Sequence, residues 1–236
     1  MSRLLVILLL FITAGSVVAE PTVQFDEVLA HYQLAMQQQQ HRMKDLAMNV
    51  TMEATIPRLK KQGKLSALRT ISNIGRVTYK VLGFSGDDTV KKEVIARYMT
   101  AEVDSTENRS SEFAISPANY NFKYKGQFSK DGQDTYIFEL KPKSKRVGLF
   151  KGELWIDAAT SLPVREQGRF VKSPSVFIKK VDFVRSYEIR DGVAYLKHMA
   201  SKTDTRIVGI TELNIDYDNY HEQTEAEDSV AEVRGR

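Results

Sequence analysis

The stretch Lys151-Gly152-Glu153-Leu154-Trp155-Ile156-Asp157-Ala158-Ala159-Thr160-Ser161-Leu162-Pro163-Val164-Arg165 constrains the fold more than any other. Apolar residues recur at alternate positions, Leu154 and Ile156, small and polar residues follow, and a second strand opens at Leu162. That order predicts two antiparallel strands joined by a turn. The same logic repeats on both sides, with strands predicted over 120–125, 135–141, 150–157, 162–171, 176–188, 193–201 and 206–217. Asp131-Gly132 and Asp191-Gly192 are the dipeptides expected between antiparallel neighbours.

Nearer the N-terminus, Phe25, Val28, Leu29, Tyr32, Met36 and Met43 fall at helical spacing, with Asp26 and Glu27 suited to a helix start and Gln37 to Gln40 mostly on the far side. One amphipathic helix is expected over about 25–46. Strands are predicted over 47–56 and 67–82 around a basic turn at 58–64, with a further turn at 83–88. The segment 90–99 reads as a strand carrying Lys91, Glu93 and Arg97 on one face, and 102–117 as a loop. No second helix is expected after Met43. About ten strands without crossover helices imply a mainly β, α+β chain: one large antiparallel sheet, curved or rolled into an unclosed β-barrel, with the N-terminal helix across its concave face.

Hydrophobic content of 42% supports a single domain over 24–220. Residues 1–19 read as a signal peptide, with Arg3 before an apolar run over 4–12 that is too short to span a bilayer, and cleavage is expected after Ala19. The chain has no cysteine, which fits the periplasm better than a small disulfide-stapled secreted domain. From His221 the chain turns acidic and polar, and 221–236 are expected to be a disordered tail. Net charge is +4, and the cations concentrate in two clusters, Arg58, Lys60, Lys61, Lys64, Arg69 and Lys141, Lys143, Lys145, Arg146, each expected at an inter-strand turn.

Little in the sequence points to covalent chemistry. His31 and His41 lie on the helix about 80° apart and nearly three turns distant, so they cannot chelate one metal ion. His221 is in the tail, and His198, beside Leu196 and Ala200, reads as a packed or rim residue. No nucleophile elbow is present. Asp87, Asp88, Asp157 and Asp182 read as turn and capping carboxylates. Residues 83–86 lack the phosphate-loop spacing. No enzyme activity, cofactor or nucleic-acid partner is expected.

The hairpin Glu153-Leu154-Trp155-Ile156-Asp157, then Thr160, then Leu162-Pro163-Val164-Arg165, resembles the outer-membrane lipoprotein-sorting superfamily, the LolA/LolB-like periplasmic carriers. The exported helix followed by many antiparallel strands is similar to that family over roughly 24–220. The resemblance implies an unclosed barrel capped by helices, sheltering acyl chains of a lipid or lipoprotein, with no covalent chemistry, in a periplasmic monomer. The ligand-facing candidates are Val28, Leu29, Tyr32 and Met36 on the helix and Phe138, Leu154, Ile156, Phe183, Leu213 and Ile215 on strands. Arg58, Lys60, Lys61, Lys143, Lys145 and Arg146 are candidates for contact with an anionic membrane surface or an envelope protein. The alternative is a structural or sensory interaction module whose sheet is packed and whose partner is a protein.

Overall fold

A computed structural model describes residues 25–107, 113–173 and 175–223 of the chain. The predicted signal peptide and residues 224–236 of the predicted tail lie outside the described residues. Helix α1 (Phe25–Arg42) is followed by β1 (Leu46–Ile56), β2 (Lys61–Ile71) and β3 (Val77–Gly86). A helical run then comprises α2 (Asp88–Val90), a π-helical segment (Lys91–Ala96) and α3 (Arg97–Glu107). Seven strands complete the chain: β4 (Tyr120–Lys130), β5 (Gln133–Pro142), β6 (Phe150–Asp157), β7 (Pro163–Phe170), β8 (Ile178–Arg190), β9 (Val193–Thr205) and β10 (Gly209–Glu222).

All ten strands form one sheet in the order β3-β2-β1-β10-β9-β8-β7-β6-β5-β4. Every pairing is antiparallel, β1 lies against β10, and β3 and β4 remain as separate edges, so the sheet is an open half-barrel. The Asp-Gly turns form as expected, with positive φ at Asp131, Gly132, Asp191 and Gly192, the geometry that matches strand twist. In the hairpin read first, Asp157 ends β6 and its carboxylate accepts from the Thr160 N–H and hydroxyl and from the Gln133 amide. Burial pushes that carboxyl up, but these donors outweigh it and leave it below its ordinary range.

The curl has local causes. Pairing shifts at Tyr124/Gly126, Trp155/Ile156 and Ser186/Tyr187 are irregularities of the kind that bend strands. Gly152 faces Gly168 across β6 and β7, where a side chain on either would collide with the other strand's backbone.

Several sequence expectations are corrected. Segment 67–82 is two strands, β2 and β3, broken at Ser72–Arg76, where Gly75 takes a positive φ and the Ser72 N–H donates to the Arg76 carbonyl. Residues 83–86 belong to β3, and the turn begins only at Asp87. Segment 90–99 is helical, as is the start of the expected loop 102–117, because Val90, Val94 and Ile95 all face the core. Asp87 caps this helix, accepting from the Thr89 N–H at 2.7 Å. Gln39, placed on the far side, is buried. Lys64 and Arg69 lie within β2 rather than a turn, and His221 and Glu222 continue β10 rather than opening the tail.

Gly152→Ala is expected to destabilise by about 1–3 kcal/mol through overpacking, lowering the melting temperature by several degrees. Gly83→Ala, where an added Cβ meets nothing within 4 Å, should leave it nearly unchanged. Thermal melts of the two variants check this.

Candidate functional site

The concave face is divided between two covers. Under α1 lies an aromatic and aliphatic cluster on β4–β8 that includes Tyr120, Phe138, Leu140, Phe150, Leu154, Ile156 and Phe183, each at most 5% exposed. Tyr32 reaches fully into it, whereas Val28, Leu29 and Met36 pack against it only partly buried. Phe25 stacks on Tyr124 with centroids 4.1 Å apart. Toward the other end of α1 the hold is polar. The Gln39 amide donates to the Ala194 carbonyl at 2.6 Å and accepts from the Ala194 N–H at 3.0 Å, taking the place of a strand neighbour for that residue. Arg42 donates to the carbonyls of Asp191 and Gly192.

The second cover is the run α2–α3, seated on β1, β2, β3, β9 and β10 through Val90, Val94 and Ile95. Leu213 and Ile215 belong to this half and not to the one under α1, so the ten ligand-facing candidates divide between two clusters. A polar network lies inside the second half. Arg69 on β2 donates from Nη2 to Glu102 of α3 at 2.7 Å, and the Tyr79 hydroxyl donates to the other Glu102 oxygen. Arg69 Nη1 meets the Met48 sulfur at 3.4 Å, and Arg69 Nε is buried without a partner. The Tyr98 hydroxyl contacts that of Tyr217 at 3.2 Å. Burial pushes the Tyr217 phenol up to about 12.

Between the halves, Glu166 and Arg185 face each other across β7 and β8 at 3.2 Å, with Glu166 only 5% exposed. The Arg185 guanidinium also lies over the Phe183 ring, 4.9 Å from its centroid. Of these polar residues the sequence marks only Arg69, as part of a basic cluster expected at a turn. The spacing Val90, Val94, Ile95, Tyr98, Met99, Val103 behind Asp87 was a helical signal that would have put Glu102 on the same helix. Nothing in the sequence marked Arg69 as its partner.

The histidines are dispersed. His31 and His41 are exposed on α1, and His198 pairs with Asp216 at 2.7 Å instead of packing into the core. Among the described residues no three His, Cys, Asp or Glu side chains converge as metal ligands. The basic candidates come to one end of the half-barrel. Arg58 and Lys60 lie between β1 and β2, and Lys143, Lys145 and Arg146 between β5 and β6. Lys61 begins β2 and is engaged by Asp87 at 3.2 Å and by the Thr89 hydroxyl. Lys143 donates to the Pro117 carbonyl at 2.5 Å.

These features define an open antiparallel half-barrel with helical covers. No protein-family model matches the sequence, and neither does any curated protein. Among solved structures, the chain is similar to an outer-membrane lipoprotein-sorting protein domain from Vibrio parahaemolyticus, with 13% identity, 89% of this chain and 99% of that one covered, and a TM-score of 0.47. It is similar to a LolA superfamily protein from Nitrosomonas europaea at 12% identity, covering 84% and 93% with a TM-score of 0.40. A DUF1329 family protein from Desulfovibrio piger shows 15% identity, coverages of 86% and 95%, and a TM-score of 0.42. Likeness at this level assigns no residue here a role.

Burial pushes the Glu102 carboxyl up, but Arg69 and the Tyr79 hydroxyl pull it down further, so its folded value lies below the ordinary one. Its contribution is complete above the unfolded carboxylate value of about 4.3 and is lost as pH falls through the folded value. Glu102→Ala, which strands Arg69 as a buried charge, should cost about 3–5 kcal/mol. Glu102→Gln should cost less and remove the acid dependence of α3 amide protection, read by hydrogen exchange across an acid titration.

Proposed function

We propose that this protein is an envelope carrier that shelters the acyl chains of a lipid or lipoprotein against the concave face of its half-barrel, with α1 as the lid. On this reading it works in the periplasm as a monomer, after removal of residues 1–19, and performs no covalent chemistry. The observation that carries it is the unequal seating of α1. The strand residues beneath it are almost wholly buried, yet on the helix itself only Tyr32 and Gln39 are. A helix held by one fully buried aromatic plug, the Phe25–Tyr124 stack, three half-buried apolar side chains and a few hydrogen bonds at its C-terminal end can leave without unravelling the sheet. The apolar face it uncovers would then exchange helix side chains for methylenes, each contributing ~0.8 kcal/mol on burial. Phe138, Leu154, Ile156 and Phe183 line that face, Val28, Leu29, Tyr32 and Met36 close over it from α1, and Leu213 and Ile215 lie in the half under the second cover. Uptake and release follow from different affinities of the open and covered states.

A second reading, a packed sheet serving as a protein-interaction module, is favoured by the same burial, because the protein's own side chains fill the hollow.

Native mass spectrometry of the protein recovered after export, followed by solvent extraction, separates the two. The carrier reading expects a stoichiometric adduct that extracts as lipid. It also expects Gln39→Ala, which leaves the Ala194 amide and carbonyl unpaired, to speed uptake of a fluorescent fatty acid. A bare mass together with no uptake of fatty acid or phospholipid by either form would rule it out in favour of the packed module.

A further inference from the structure

Four loops far apart in sequence make one surface at a single end of the half-barrel: 57–60, 143–149, 171–173 with 175–177, and 206–208. Hydrogen bonds join them. Arg58 donates to the Ile207 carbonyl at 3.2 Å, and Arg206 donates from Nε to the Val176 carbonyl at 2.9 Å and from its N–H to the Phe177 carbonyl at 2.8 Å. The Val171 N–H donates to the Leu149 carbonyl at 2.9 Å.

The composition of this end is one-sided. The four loops hold seven Lys or Arg residues and no Asp or Glu. At the same end Asp87 is paired with Lys61, leaving Asp88 as the exposed carboxylate beside it. At the other end of the strands the turns carry Asp45, Asp131 and Asp191. The loop tips also expose large apolar side chains, Val176 at 79%, Ile207 at 50%, Phe177 at 49%, Val147 at 40% and Leu59 at 39%. Exposed apolar groups gathered in one place mark an interaction surface. Between them stand the exposed cations Arg58, Lys60, Lys145, Lys172 and Arg206. None of the five is in an ion pair with a carboxylate among the described residues.

We propose that this end docks on an anionic lipid bilayer, its apolar tips entering the boundary between headgroups and acyl chains and its cations meeting lipid phosphates. Tips on four separate loops, with cations between them, suit a medium that is apolar inside and anionic outside and needs no matching shape. An acidic protein would answer the charge alone and leave the tips without a matching surface. The inference is independent of whether the concave face holds cargo.

The test is co-sedimentation of the exported protein with vesicles of phosphatidylcholine alone and of phosphatidylcholine with phosphatidylglycerol, at low and high salt. Two variants change only exposed side chains: K60E/K145E/K172E and V176S/F177S. Thermal melts that match wild type show both are folded, and the single variants K145E and V176S stand in if either is not. The expected result is salt-sensitive binding to the anionic vesicles only. The charge reversals should lower it on the order of 100-fold, since each cation near such a surface contributes about a factor of five. The serine pair should lower it on the order of tenfold through lost apolar burial. Binding that ignores phosphatidylglycerol, or charge reversals without effect, would overturn the proposal. So would a serine pair that binds as wild type while a soluble acidic polymer binds all three proteins alike, because that pattern belongs to an acidic protein partner.

Discussion

Burial of the concave face is the constraint from which the other features follow. Ten strands hydrogen-bonded side by side satisfy their backbones, but a curled sheet of this size presents two large apolar clusters that must be kept from water. The α2–α3 run solves this for one half by seating Val90, Val94 and Ile95 as deeply as the strand residues beneath them. The cover on the other half, α1, contributes Tyr32 and little else at that depth.

That difference is reinforced by how polar groups are used. Arg69 and Glu102 tie α3 to β2 in a place where an unmatched charge would be costly, so the pair resists opening. Gln39 ties α1 to β9 through a neutral amide, a bond whose loss costs far less and which water can replace once the helix lifts. The glycines at the β6–β7 contact admit a close backbone approach that a side chain on either would block.

The end loops show the same economy of position. An antiparallel meander delivers alternate connections to the same end, so a basic turn between β1 and β2 and another between β5 and β6 come to one rim although about ninety residues separate them in the chain. The loops at 171–173 with 175–177 and at 206–208 fall between them and bring the most exposed apolar residues of that end.

Much of this architecture was legible in the amino-acid order. Alternation at Leu154 and Ile156, the two Asp-Gly turns and the helical spacing from Phe25 to Met36 are local signals, and each acts over a few residues whatever lies elsewhere. The sequence by itself therefore determined β1, the strands from β4 onward, α1 and the antiparallel class, but not the break between β2 and β3. It misled where two local patterns overlapped: β-branched residues with interleaved charges over 90–99 imitate a strand, while the Asp87 cap and the spacing Val90, Val94, Ile95, Tyr98 suit the helix that forms. Tertiary structure alone decided that Arg69 is buried against Glu102, that Leu213 and Ile215 lie under a different cover from Phe138, and that Val176 and Ile207 share a rim. Those facts depend on which distant strands become neighbours, and neighbour choice is set by the summed burial of the whole sheet, which no single stretch of sequence carries.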